Sequence, residues 1–181
     1  MIGRRATGGS RPLRQMGRGE LEDGVAASAD AAHAAALHLL TARARTRAEL
    51  ERRLQQRGFE PGPIAETLDR LTAVGLVDDE AMARDLASTR ASQGVDASVI
   101  ALELHDRGID PVVATGAVEA AAPAEDRLER CRELARARLA KLHGLSPEVQ
   151  FRRLAAFLTR RGYPPEIVQM VVGELVDLDS P

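Results

Sequence analysis

Residues 47–71 read RAELERRLQQRGFEPGPIAETLDRL, and this stretch decides the fold. Leu50 and Leu54 are four apart, so they share one face of a helix. Gly58 follows the last turn, where a residue without Cβ accepts the left-handed conformation that ends a helix. Arg57, just before it, suits the negative end of the helix dipole, and Phe59, just after it, can pack back on the last turn. Pro63 then opens a second helix at a place where a missing N–H costs nothing. That helix runs through Ile64, Leu68 and Leu71. The reading is a helical hairpin.

The pattern recurs twice, in ASVIALELHDRGIDPVVATGAVEA (97–120) and FRRLAAFLTRRGYPPEIVQMVVGEL (151–175). Aligned on Gly58, Gly108 and Gly162, the Leu50 and Leu54 positions become Ile100 and Leu104, then Leu154 and Leu158. Arg57 becomes Arg107 and Arg161, and Phe59 becomes Ile109 and Tyr163. Pro111 and Pro165 open the second helices, which run through Val113, Ala117 and Ala120, and through Ile167, Val171 and Leu175. A further helix precedes each hairpin: 31–42, with Asp30 as its N-cap; 79–91, with Met82 and Leu86 inward; and 125–142, the longest. Thr46 with Glu49 forms a capping box, Asp96 precedes the fifth helix, and Ser146-Pro147 opens the eighth. Nothing alternates long enough to make a strand. The expected fold is all-α, an elongated array of three tandem three-helix repeats over 29–77, 78–122 and 123–177. Residues 1–28, rich in Gly, Ser and Arg, read as a disordered basic tail.

Composition agrees with such an array. Of 181 residues 44% are hydrophobic but only 2% aromatic, so the core is aliphatic and small. The net charge of −2 hides a segregation. Residues 1–19 carry five arginines and no acid, 20–123 hold 18 acids and 10 bases, and 124–161 hold 10 bases and 5 acids. The remaining segment has four acids and no base. Such asymmetry suits docking to a charged partner better than catalysis on a small molecule. The single cysteine, Cys131, excludes an internal disulfide. Its neighbours Arg130 and Arg132 could favour a thiolate, but a small packed residue is the simpler reading. No apolar run is long enough to cross a bilayer and no export signal is seen, so a cytoplasmic, monomeric protein is expected. There is no P-loop and no Gly-rich dinucleotide turn, and His33, His38, His105 and His143 are dispersed. Neither an enzyme, nor a metal, nor a cofactor is expected.

The stretch VGLVDDEAMARDLASTR (74–90) places two carboxylates, Asp78 and Asp79, between a helix that ends at Gly75 and the next one. There a carboxylate accepts unpaired first-turn N–H groups and meets the positive end of the dipole. Both aspartates are therefore expected to be caps, as Gly58, Gly108 and Gly162 are expected to be helix stops. The run of RG-apolar hairpin, VGLVDD and a helix ending in Arg90 resembles the RecX family, bacterial regulators of the RecA recombinase. The resemblance covers residues 31–122 well and the third repeat more loosely. Met82 stands where the family often has an aromatic, and Ser88-Thr89 lacks the bulkier pair usual before the arginine.

The resemblance implies a protein that lies along the groove of the RecA–single-stranded DNA filament. It would oppose the ATPase, strand-exchange and coprotease activities, with weak direct DNA binding as an added contact. Arginine suits such a surface, because its planar fork binds carboxylate and phosphate in bidentate fashion; 24 of the 25 bases are Arg. The contact candidates are Arg43, Arg45, Arg47, Arg52, Arg53 and Arg57 in the first repeat, then Arg84 and Arg90 in the second. The third offers Arg127, Arg130, Arg132, Arg136, Arg138, Lys141, Arg152, Arg153, Arg160 and Arg161. Two other readings stay open: a helix-turn-helix DNA-binding regulator and a helical-repeat adaptor for another protein.

Overall fold

The computed structural model describes residues 18–176, with side chains from Ser28. The described residues form nine α-helices and no strand: α1 (Arg18–Ala42), α2 (Arg47–Gln56), α3 (Pro61–Ala73), α4 (Asp79–Ser92), α5 (Ala97–Asp106), α6 (Pro111–Ala121), α7 (Arg127–Leu139), α8 (Pro147–Arg160) and α9 (Pro165–Leu175). The fold is an all-α array of three-helix repeats.

The helices stop as the RG pattern predicts. At Gly58, Gly108 and Gly162 φ is 86°, 74° and 91°. The residue after each glycine donates its N–H back across the turn, Phe59 to Leu54, Ile109 to Leu104 and Tyr163 to Leu158, at 3.2, 3.1 and 3.3 Å. These are Schellman closures, which satisfy carbonyls that the helix end would leave orphaned. Ile109 and Tyr163 are buried as the apolar lids of their turns.

The chain divides into two compact units. One runs to Arg45 and takes in Leu50–Val77; the other holds Thr46–Glu49 and the described chain from Asp78 onward. In the first unit α1 packs on α3 over a core of Ala36, Leu39, Leu50, Leu54, Ile64, Leu68, Leu71 and Val77. The second unit contains two cores. One joins α4, α5 and α6 through Ala83, Ala87, Ile100, Leu104, Ile109, Ala114 and Ala117. The other joins α7, α8 and α9 around Leu154, Leu158, Val168, Val171 and Val172. Each fully buried aliphatic side chain contributes roughly 1.5–3 kcal/mol relative to exposure, and every core joins the apolar face of a hairpin to residues of the helix before it.

The opening helix of each triplet meets the closing one through small residues a turn apart: Ala32 and Ala36, Ala83 and Ala87, Cys131 and Ala135, all without exposed surface. Small side chains let two backbones approach closely. This explains several departures from the sequence reading. Ala83 and Ala87 are the buried residues of α4, while Met82 and Leu86 lie at its margin. In α6 the buried pair is Ala114 and Ala117, and Ala120 is exposed. In α9 Val168 is buried where Ile167 was expected.

The boundaries differ too. α1 begins at Arg18, so residues 18–28, expected in the tail, are helical, and Asp30 is an interior residue of α1 rather than its N-cap. The part of the expected tail in residues 1–17 lies outside the described residues. α3 starts at Pro61, two residues before Pro63, and Pro63 is buried within its first turn. The third triplet opens with a short 3₁₀ turn, Ala124–Asp126, before α7, so the longest helix is α1, with 25 residues, and not the seventh.

Candidate partner interface

Two helix N-caps of the second unit, Thr46 and Asp96, each meet an RG turn. The Thr46 hydroxyl, fully buried, accepts the Glu49 N–H at 3.0 Å and donates to the Arg107 carbonyl at 2.7 Å. The Asp96 N–H donates to the Arg161 carbonyl at 2.8 Å. Both glycines of these turns are crowded: a methyl on Gly108 would land on Ala48, and one on Gly162 would land on Val99. Gly58 has nothing near it, so only its backbone angle calls for glycine. At Arg107 and Arg161, therefore, the backbone and not only the side chain makes the joint.

The Asp96 joint is charged as well. Its carboxylate, 2% exposed as a residue, accepts from Ser98 N–H at 3.0 Å and receives a bidentate fork from Arg127, with both N···O distances 2.7 Å. Burial pushes this carboxyl up, but Arg127 and Ser98 together outweigh it and hold it below the usual carboxylate range. A charge-assisted fork of this kind is roughly twice as strong as a neutral hydrogen bond. The Arg161 guanidinium also donates to the Gln93 carbonyl.

The paired aspartates divide their work. Asp78 is the N-cap of α4 and accepts the Ala81 N–H at 2.8 Å. Asp79 instead accepts the Arg47 N–H at 2.9 Å, so it serves the first turn of α2, thirty-two residues away. Desolvation raises its pKa, against the Arg47 N–H, which lowers it. Cys131 is buried, and burial, with Asp96 adding to it, pushes its thiol up to about 11 despite Arg127 and Arg132. It is a packing residue with almost no thiolate at neutral pH.

The candidate arginines fall into two groups. Some are committed to the fold of the second unit. Arg90 forks Glu103 at 2.8 and 2.9 Å, and Arg132 forks Glu174 at 2.9 and 3.0 Å. Arg127 holds Asp96, Arg130 donates to the Pro123 carbonyl at 2.7 Å, and Arg136 meets Glu129 at 3.0 Å. Arg84 makes only an exposed pair with Glu80, at 3.5 Å, and Arg47 meets Asp79 through its backbone N–H. Others keep their charge available. Lys141, Arg152, Arg153 and Arg160 are exposed, and among the described residues none meets a carboxylate. Arg138 lies over the Phe157 ring at 5.1 Å and Arg161 at 5.4 Å.

In the first unit, Arg52 and Arg53 lie on the exposed side of α2, and Arg57, exposed just past its end, donates to the Ala35 carbonyl at 3.4 Å. Arg45 donates to the Leu39 carbonyl and Arg43 to its neighbour Ala44. Several participants were not singled out from sequence, Glu174 opposite Arg132 among them. Glu103, the partner of Arg90, could have been found by the helical spacing that also sets it four residues from Arg107. Phe157 carries no local signal beyond being an aromatic among arginines. Among the described residues no group of three or more His, Cys, Asp or Glu could hold a metal ion, and no helix is long and apolar enough to cross a membrane.

A family model for the first three-helix domain of RecX matches residues 32–71, and one for the third three-helix domain matches residues 124–172. The regulatory protein RecX of Mycobacterium avium is 40% identical over 147 residues, which cover 80% of this chain and 84% of that protein. The chain belongs to the RecX family. The regulatory protein RecX of Thermobifida fusca is 37% identical over 150 residues, 82% of this chain and 80% of that one. The crystal structure of RecX from Lactobacillus salivarius, at 23% identity, superposes with a TM-score of 0.65 over 83% of this chain and 97% of the other. RecX thus shares the repeat fold at low sequence identity. In this chain the caps, the RG turns and the small-residue faces constrain only a few positions per helix.

Proposed function

We propose that this chain is a negative modulator of the RecA recombinase. In this reading it binds in the groove of the RecA–single-stranded DNA filament and inhibits ATP hydrolysis, strand exchange and coprotease activity by contact and not by catalysis. The observation that carries the reading is the 40% identity, over most of both chains, to a regulatory protein RecX. The distribution of arginines supports it. One set is used up by ion pairs that fix the repeats, and a second set, including Arg53, Arg152, Arg153 and Arg160, stays on the surface. Several modest contacts carried on one chain give avidity without a deep pocket.

The deciding measurement is DNA-stimulated ATP hydrolysis by the cognate recombinase, titrated with this protein well below equimolar ratios. Inhibition in that range is expected. Unchanged hydrolysis at and above equimolar ratios would exclude the proposal, and sequence-dependent duplex binding without recombinase would favour the helix-turn-helix alternative.

A further inference from the structure

The face of α7 and α8 around Phe157 differs from the rest of the second unit in having cations without acids. Two guanidinium groups lie over one ring, those of Arg138 and Arg161. Arg153 stands four residues before Phe157 and Arg160 three after it, so both rise from the same side of α8. Residues 134–143 and 149–165 contain no acid at all. Among the described residues none of these four arginines meets a carboxylate, and the Nε of Arg138 is buried with no hydrogen-bond partner. Elsewhere in the unit Arg90, Arg127, Arg132 and Arg136 each hold one.

We infer that this face binds the phosphodiester backbone of DNA directly, through Arg138, Arg153 and Arg160, with Arg161 held beside them. The inference rests on the reading above, in which arginines of this unit meet a nucleoprotein filament, and takes it further. It names the DNA strand, not the recombinase, as what these arginines meet. Two arguments favour it over an acidic protein surface. A guanidinium over an aromatic ring is held in place while its outer N–H groups can still meet phosphate oxygens. A face of one sign, with no acid interleaved, matches a uniformly charged chain such as the nucleic-acid backbone. Backbone contacts carry no base information, so binding is independent of sequence.

The test needs no recombinase. Binding of the full chain to a labelled oligo-dT and to a mixed-sequence duplex of equal length is followed by fluorescence anisotropy over a salt series. The variant R138Q/R153Q/R160Q is compared with the parent, with helicity checked by circular dichroism. For the single strand, each lost phosphate contact lowers the slope of log K against log salt by about 0.7. The triple variant should therefore lose a slope of about 2, and its affinity at moderate salt should drop at least tenfold. A loss of that size on the duplex alone would identify duplex as the source of the phosphates. Unchanged slope and affinity on both DNAs would overturn the inference and leave an acidic protein surface as the ligand of this face. Should the triple variant unfold, R153Q/R160Q touches only exposed side chains and should still lower the single-strand slope by about 1.4. Because the readout is naked DNA, failure of the RecA proposal leaves this result standing, and the converse holds.

Discussion

The second unit contains the same joint built twice, with different chemistry. At the first, a buried threonine hydroxyl donates to the Arg107 carbonyl and Ala48 fits over Gly108. At the second, the Asp96 N–H donates to the Arg161 carbonyl, Val99 fits over Gly162, and Arg127 forks the Asp96 carboxylate. A cap residue and an RG turn suffice for the geometry, since both joints have them. Both joints also carry an ion pair, but at the first Arg107 stands 3.9 Å from Glu49, whereas at the second Arg127 forks a buried carboxylate with both distances 2.7 Å. A neutral hydrogen bond contributes about 1 kcal/mol net, and one to a charged group about 1.5–3 kcal/mol, so the Asp96 joint should be the stiffer and more costly to break.

The most severe way to break the comparison is Asp96→Ala. It removes the cap of α5 and leaves Arg127 without its carboxylate. Removing one partner of a largely buried pair costs about 3 kcal/mol, read as a lower urea midpoint with an unchanged slope. Asp96→Asn retains an oxygen for Ser98 and should lose less. If Asp96→Ala costs under about 1 kcal/mol, the forked joint is no stronger than the one at Thr46.

Glycine substitutions separate the turn from the joint. Gly58→Ala meets only the left-handed backbone cost, about 1–2 kcal/mol. Gly162→Ala adds a methyl that collides with Val99 and should cost at least about 1 kcal/mol more, again by urea unfolding. Equal losses would mean that the second joint yields without strain.

Thr46→Val keeps the shape and removes both hydroxyl bonds, with an expected loss of about 1–2 kcal/mol. A loss as large as that of Asp96→Ala would erase the distinction between the joints.

Acid sharpens the contrast, with the smallest effect. Asp96 has a depressed folded pKa, so its contribution is complete above the unfolded value near 3.9 and is lost as pH falls through its folded value. Asp79, which serves the first turn of α2, is raised, so its contribution becomes more favourable as pH falls through that raised value toward about 3.9. Thermal melts between pH 3 and 7 should show Asp96→Asn flattening the acid loss and Asp79→Asn steepening it. Identical profiles for the two variants would contradict the assigned directions.

Much of this was legible in the chain. The stops at Gly58, Gly108 and Gly162 and the cap at Asp78 depend on residues within five positions, so local pattern sufficed. The start of α1 was not legible. The run before residue 31 has only Leu21 and Val25 as larger apolar residues and holds Gly19 and Gly24, too little for a helical period to show, yet α1 reaches back to Arg18. The inward choice of Ala83 over Met82 was equally hidden, because it follows from how closely α4 and α6 approach.

The candidate surface divides along the same line. That arginine would dominate it is written in the composition. Which arginines remain on offer is not, since Arg127 with Asp96, Arg132 with Glu174 and Asp79 with the Arg47 N–H are pairs 31, 42 and 32 residues apart. Caps and turns form from neighbours in the chain, whereas a guanidinium finds its carboxylate only after the helices pack. The sequence therefore determined the helices and their stops, and the tertiary structure decided which charges were left for a partner.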